Sequence, residues 1–232
     1  MLVSGIISLI STRLVLQTLG VQDYGIFSLI VGVVGMLTIL NGAMGISTQR
    51  FLSHTMGGGD PKELKTIFST GLVIHFFLAI AIVILFALIG HVLIVQFLNV
   101  PIERIKIAIR VFYVVLFGSF FNIITTPFDG TLTARENFKT IAFAEILLSF
   151  SLLGSAIFLL FTSLDKLIIY TVLTTVSAIG IAIFKQFYCI KRYAECSYNP
   201  KYFNRKYYKE MTSFAGWNLF GALCSLARGH GL

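Results

Sequence analysis

Between Lys65 and Glu103 the sequence carries no charged side chain. A hydrocarbon core of about 30 Å is crossed by roughly 20 apolar residues in helical form. This run is longer than that, so it must tilt, bend or project beyond a bilayer. Similar apolar runs fall near 1–19, 24–47, 67–95, 107–127, 141–161 and 167–188, and another begins near Phe214. The runs are about twice as long as a barrel strand and do not alternate, so they are helices. Only 12% of residues are charged, against about 25% in soluble domains. The expected fold is all-α and integral to a membrane. It is a multi-pass helical bundle of about six complete transmembrane helices plus the start of a seventh. The expected organisation is a first bundle over 1–190, a basic cytoplasmic segment over 191–211 and the start of a truncated second bundle over 212–232.

The connectors follow turn and cap chemistry. In "MGGGDPKELK" (Met56 to Lys65) a flexible turn leads to a helix start, with Asp60 as cap and Pro61 in the first turn. "NVPIERIK" (Asn99 to Lys106) repeats the pattern, with Glu103 near the positive helix end. "LGVQDYG" (Leu19 to Gly25) reads as a short hairpin between antiparallel spans. Gly20 and Gly25 permit the backbone angles of a reversal, and Asp23 can accept amide hydrogen bonds at the next helix start. Pro127 is expected to break or kink the end of the fourth helix. The small residues Ser28, Gly32, Gly35 and Gly42 form a stripe suited to close helix packing.

The net charge of +8 sits mainly between the apolar runs, which points to lipid and excludes nucleic acid as the partner. Counted on alternate sides, twelve Lys and Arg fall on one side and four on the other. The positive-inside rule places the richer side, and with it the amino end and the 185–210 segment, in the cytoplasm. The first run has no basic leader and no cleavage site, so it is not a removable signal. Met1 already stands at apolar depth, and further residues are expected upstream.

Within this apolar background a few polar residues call for an explanation. Arg13 lies about 9 Å below the outer end of its helix, where a charge costs at least about 2.5 kcal/mol. Gln17 shares its face, and Ser4, Ser8 and Ser11 lie nearly opposite. Two placements satisfy the arginine: snorkelling to the outer interface, or the wall of a polar cavity with helices packed on the serine side. Arg50 closes the second span as an anchor or as a second cavity residue. Around the junction after the fourth span stand Asp129, Arg135, Glu136, Lys139 and Glu145. Glu145 lies about two turns inside the fifth span with Ser149 on its face, as a functional acid or as a shallow one reached by water. His75 is expected to bond a neighbouring helix.

Enzymatic chemistry finds little footing. The sequence has no His-Glu-x-x-His, nucleophile elbow or phosphate loop, and Cys189, Cys196 and Cys224 lack metal-ligand spacing. No catalytic residue, metal or cofactor is expected.

Four segments together carry a resemblance: "TRLVLQTLGVQDYGIFSLIVGVVG", "GISTQRFLSHTMGGGD", "FNIITTPFDGTLTARENF" and "MTSFAGWNLFGAL". In order and spacing the chain resembles the polysaccharide and O-antigen flippases of the multidrug/oligosaccharidyl-lipid/polysaccharide exporter superfamily. The resemblance runs almost end to end but covers only their amino-terminal half, and "PFDG" departs from the pattern. It implies a bacterial cytoplasmic-membrane transporter of two rocking bundles, with a cationic cavity for an undecaprenyl-diphosphate-linked glycan. Arg13 and Gln17 would then line the first-bundle wall, with Arg50 and Glu145 as further cavity candidates. The missing second bundle, or carboxy-terminal half, would be the chain's partner. A cation-coupled multidrug exporter of the same superfamily is the nearest alternative. An inactive remnant, or a membrane polymerase or acyltransferase, stands further off.

The charge count makes a direct prediction. Cysteines placed at 22 and 165 should react with an impermeant thiol reagent from outside intact cells. Those placed at 59 and 198 should react only after permeabilisation. Outside labelling at 198 would reverse the assigned orientation.

Overall fold

The computed structural model describes residues 2–58, 60–98, 100–197 and 200–229. Met1, Gly59, Asn99, Tyr198, His230 and Gly231, which figure in the expected connectors and spans, lie outside these residues, as does the Arg228 side chain. Among the described residues there are helices and no strands. The long ones are α1 (Leu2–Gly35), α2 (Leu37–Gly58), α3 (Pro61–Val92), α4 (Ile105–Ala134), α5 (Phe138–Phe158), α6 (Lys166–Arg192) and α7 (Arg205–Gly229). Five described stretches are long and apolar enough to cross a membrane: Ser4–Gly35, Pro61–Phe97, Ile102–Ala134, Phe138–Phe161 and Lys166–Arg192. The chain is a multi-pass membrane protein.

The chain divides into two compact units. The first contains 1–35, 80–122 and 139–184. Its α1 is interrupted at Gly20, whose backbone (φ 81°, ψ 165°) is far from helical. In an unbroken helix Leu14 and Phe27 would stand about 20 Å apart. Instead both pack on one cluster of Val15, Ala156, Leu159 and Tyr170, so the chain folds back at Gly20. The expected hairpin is present but tighter than the sequence suggests. Gly25 is helical rather than a turn residue, and Asp23 is not used as a cap.

Asp23 instead meets Arg104. One guanidinium nitrogen lies 3.1 Å from Asp23 Oδ2 and the other 2.8 Å from Asp165 Oδ2. Asp165 also caps α6, accepting from the amides of Leu167 (3.1 Å) and Ile168 (3.3 Å). A single arginine thus joins the second half of α1, the start of α4 and the start of α6. Close helix approach in this unit occurs at Gly90 and Gly118. An added Cβ would stand 2.2 Å from the Phe112 ring and 2.8 Å from the Thr175 methyl, respectively.

The second unit contains 36–79, 123–138 and 185–232. The apolar run read as one span over 24–47 is broken at Met36, a turn between α1 and α2. Glycines at 32, 35 and 42 weaken helix there by about 1 kcal/mol each. They do not form the expected packing stripe: Gly32 and Gly42 are exposed, and a Cβ at Gly32, Gly35 or Gly42 would meet nothing within 4 Å. The close approach is one turn on, at Gly45, where a Cβ would lie 2.8 Å from the Thr126 methyl. Asp60 caps α3 as its sequence suggests, through the Lys62 amide at 2.9 Å. α7 is held to α2 by Ser47 Oγ donating to the Met211 carbonyl at 2.8 Å, and to α3 by the Tyr207 hydroxyl donating to Glu63. That bond to a carboxylate pushes the Tyr207 hydroxyl up to about 12.

Pro127 does not end the fourth helix, which continues through Ala134. Proline loses only one amide, and the helix closes later with its own terminus. There Asn137 N–H bonds the Leu132 carbonyl (2.8 Å) and Glu136 N–H the Thr133 carbonyl (2.9 Å). Glu136 takes the left-handed conformation (φ 53°). This is a Schellman termination.

Gly20 and Gly25 provide a matched test. Gly20→Ala forces a Cβ into a region that glycine alone occupies readily and should cost about 1–3 kcal/mol. Gly25→Ala, in helix with open space around it, should be neutral or stabilising by up to about 1 kcal/mol. Thermal unfolding of the purified chain distinguishes them, and equal melting temperatures would disprove the fold-back at Gly20.

Candidate functional site

In the first unit Arg13 and Gln17 stand one turn apart on α1, and both are exposed. The buried face of the same segment is Ile7, Ser11 and Val15. Hydroxyls on this helix serve its own carbonyls. Ser11 donates to Ile7 at 2.8 Å, Thr12 to Ser8 at 2.9 Å and Thr18 to Leu14 at 2.8 Å. Ser11 is therefore compatible with a packed face, whereas Ser8 is exposed. Among the described residues no carboxylate forms an ion pair with Arg13.

Glu145 is exposed on α5 in the same unit. Ser149 Oγ donates to its backbone carbonyl at 2.8 Å, so the serine leaves the carboxylate unaltered. No described hydrogen bond joins Glu145 to Arg13 or Gln17. Arg50 belongs to the second unit, where it is exposed on α2 with its guanidinium carbon 4.1 Å from the centre of the Phe214 ring.

Two other acids are ion-paired. Asp23 is held by Arg104. Asp129 on α4 lies 2.9 Å from Lys185 Nζ on α6. Neither ion pair was legible, because each joins residues remote in sequence. The only local signal was the position of Asp165 just before an apolar run, which marks an N-cap. The same α4–α6 contact carries Gln186 Nε2 donating to Thr125 Oγ1 at 2.9 Å. Thr126 Oγ1 donates to Asn41 Oδ1 at 3.0 Å, bridging α4 to α2.

His75 corrects its expected role. It is fully buried, and its Nδ1 lies 2.8 Å from the Gly71 carbonyl of its own helix. Its Nε2 has no hydrogen-bond partner among the described residues. Cys189 and Cys196 are both buried. Hydrogen bonding to Cys189 and burial push the Cys196 thiol well above its ordinary range, which makes it a poor nucleophile. Among the described residues no group of three or more His, Cys, Asp and Glu could hold a metal.

The MatE family model matches residues 1–159. No curated protein matches the sequence significantly. Among solved structures, the chain is similar to an outward-facing multidrug resistance MATE family transporter of the MOP superfamily. That match has a TM-score of 0.80 and 17% identity, over 98% of this chain and 52% of that one. It is also similar to a MATE crystallised in complex with MaD3S, with TM-score 0.82 and 18% identity over 97% and 51%. A third is a MOP superfamily transporter from Pyrococcus furiosus, described as having a binding pocket of reverse polarity. Its TM-score is 0.78 and its identity 16%, over 97% and 51%. At these identities the likeness establishes the fold. The chain spans about half the length of the structures it matches. A family model covering residues 1–159 and a shared fold across nearly the whole sequence place this chain in the MatE family.

Proposed function

We infer that this chain forms one half of an exporter that moves an anionic, lipid-linked oligosaccharide across the bacterial cytoplasmic membrane by alternating access. The observation that carries this reading is the exposed pair Arg13 and Gln17 on an apolar membrane helix. A guanidinium there is costly unless it meets an anion or water. It never deprotonates and forms forked hydrogen bonds to phosphate oxygens. An undecaprenyl diphosphate supplies both the lipid tail that suits a membrane cavity and the phosphates that suit Arg13. Gln17, one turn away, offers amide donors and an acceptor to the first sugar.

The balance of free charge favours an anion. Asp23 and Asp129 are engaged by Arg104 and Lys185, while Arg13 has no described carboxylate partner. Arg50 adds a second exposed cation. In this reading the amino end is cytoplasmic, membrane lipid surrounds the spans, and a second helical half completes the cavity.

One observation favours the rival. Glu145 is an exposed acid inside α5, the kind of group a cation-coupled multidrug exporter of the same superfamily would need.

Complementation of a flippase-null strain separates the two. The 232-residue chain alone should give no surface glycan, and co-expression with a second-half polypeptide should restore it. In that pair Arg13→Ala should abolish export at matched expression. Arg13→Lys should recover part of it, because charge remains but the planar fork is lost. Normal export by Arg13→Ala, or loss only with Glu145→Gln, would overturn the assignment.

A further inference from the structure

The second unit contains a cavity of about 630 Å³ that the transport reading does not use. Its wall brings together Lys62, Lys65, Arg135, Arg192, Tyr193 and Tyr202. The placement of these residues is specific. Lys62 stands in the first turn of α3, Arg135 follows the last residue of α4, and Arg192 ends α6. These are ends of three membrane-spanning stretches. The cavity therefore lies at the polar ends of these helices, beyond their apolar runs. All of its cations belong to the side that the charge count assigns to the cytoplasm.

The wall is organised and strongly cationic. Glu195, buried to 6% exposure, binds Arg135 through Nε at 2.9 Å and through a second guanidinium nitrogen. Arg135 also lies over the Tyr193 ring, 5.4 Å from its centre, and Lys65 Nζ lies 5.2 Å from the Tyr202 ring centre. Arg135 is thus neutralised and held in place. Lys62, Lys65 and Arg192 have no carboxylate ion-pair partner among the described residues. Asp60 accepts from the Lys62 amide and Glu63 from the Tyr207 hydroxyl, and among the described residues neither forms an ion pair with these cations. Three cations converge on one concave space flanked by two tyrosines. Such a space suits an oxyanion of high charge density, and tyrosine suits the interface between acyl chains and water.

The geometry points to a binding site for a phosphate group in this cavity, supplied by the headgroup of an acidic phospholipid of the inner leaflet. Each Lys or Arg near an anionic surface strengthens attraction, and a pocket between helix ends converts that attraction into a located contact. The lipid would bridge α3, α4 and α6 at their shared end. This inference stands apart from the transported substrate and from Arg13, so failure of one leaves the other intact.

Native mass spectrometry of the purified 232-residue chain tests it. The probes are dioleoylphosphatidylglycerol, dioleoylphosphatidylcholine and sodium pyrophosphate, each added separately. The wild-type chain should retain phosphatidylglycerol at least about tenfold more tightly than phosphatidylcholine. The triple variant Lys62→Gln, Lys65→Gln, Arg192→Gln should lose that preference. The variant Lys62→Arg, Lys65→Arg, Arg192→Lys should keep it, which controls for folding. Removing three cations outside the cavity, Lys201→Gln, Lys206→Gln and Lys209→Gln, should leave the preference nearly unchanged. Equal loss in both glutamine variants would reduce the effect to general surface charge and overturn the site. Pyrophosphate binding as tight as the lipid, with the same dependence on the cavity cations, would overturn the assignment to a lipid.

Discussion

A bilayer core offers no water to a polar group, and this one constraint sorts the polar residues of the chain. Each must find a partner inside the protein, reach an interface or border a water-filled space. Where the chain turns between spans, Arg104, Asp23 and Asp165 pair with one another, and in doing so they tie three helices together. Asp129 and Lys185 do the same between α4 and α6. Asn41 with Thr126 and Thr125 with Gln186 satisfy neutral groups by the same means. Arg13, Gln17 and Glu145 stay exposed. Among the described residues neither Arg13 nor Glu145 forms an ion pair, which is why the functional reading rests on them.

Much of the fold was legible because hydrophobic length is a strong signal. The runs at 67–95, 107–127, 141–161 and 167–188 each fall within an observed helical stretch of membrane-spanning length. Asp60 and Pro61 marked the start of α3 by cap chemistry. What failed was local detail dependent on neighbours. The span read over 24–47 is two helices, because apolar content does not register a turn at Met36. The glycine stripe predicted packing that Gly45, Gly90 and Gly118 provide instead. Spacing shows which residues share a face but not what lies opposite. Pro127 was expected to break or kink the end of α4 because propensity was weighed without α2 and α6, whose side chains bond the adjoining turns through Asn41 and Gln186.

The site was legible only in part. Arg13 and Gln17 stood out because polar residues in an apolar helix need explaining, and their shared face follows from the helical repeat. The ion pairs were hidden, since Arg104 and Asp23 are far apart in sequence. So was the basic cavity. Its residues come from α3, the end of α4, the end of α6 and the turns beyond, and the charge count had treated them only as markers of topology.

We propose that the Arg13 guanidinium, which has no carboxylate ion-pair partner among the described residues, selects an anionic ligand. The most direct test is equilibrium binding to the purified chain in nanodiscs of neutral lipid. A fluorescent polyprenyl diphosphate and a lipophilic organic cation should be titrated separately. Loss of a charge-assisted hydrogen bond costs about 1.5–3 kcal/mol, so Arg13→Ala should weaken diphosphate binding by about ten- to a hundredfold and leave the weak cation signal unaltered. Tighter binding of the cation, unchanged by Arg13→Ala and abolished by Glu145→Gln, would contradict the account.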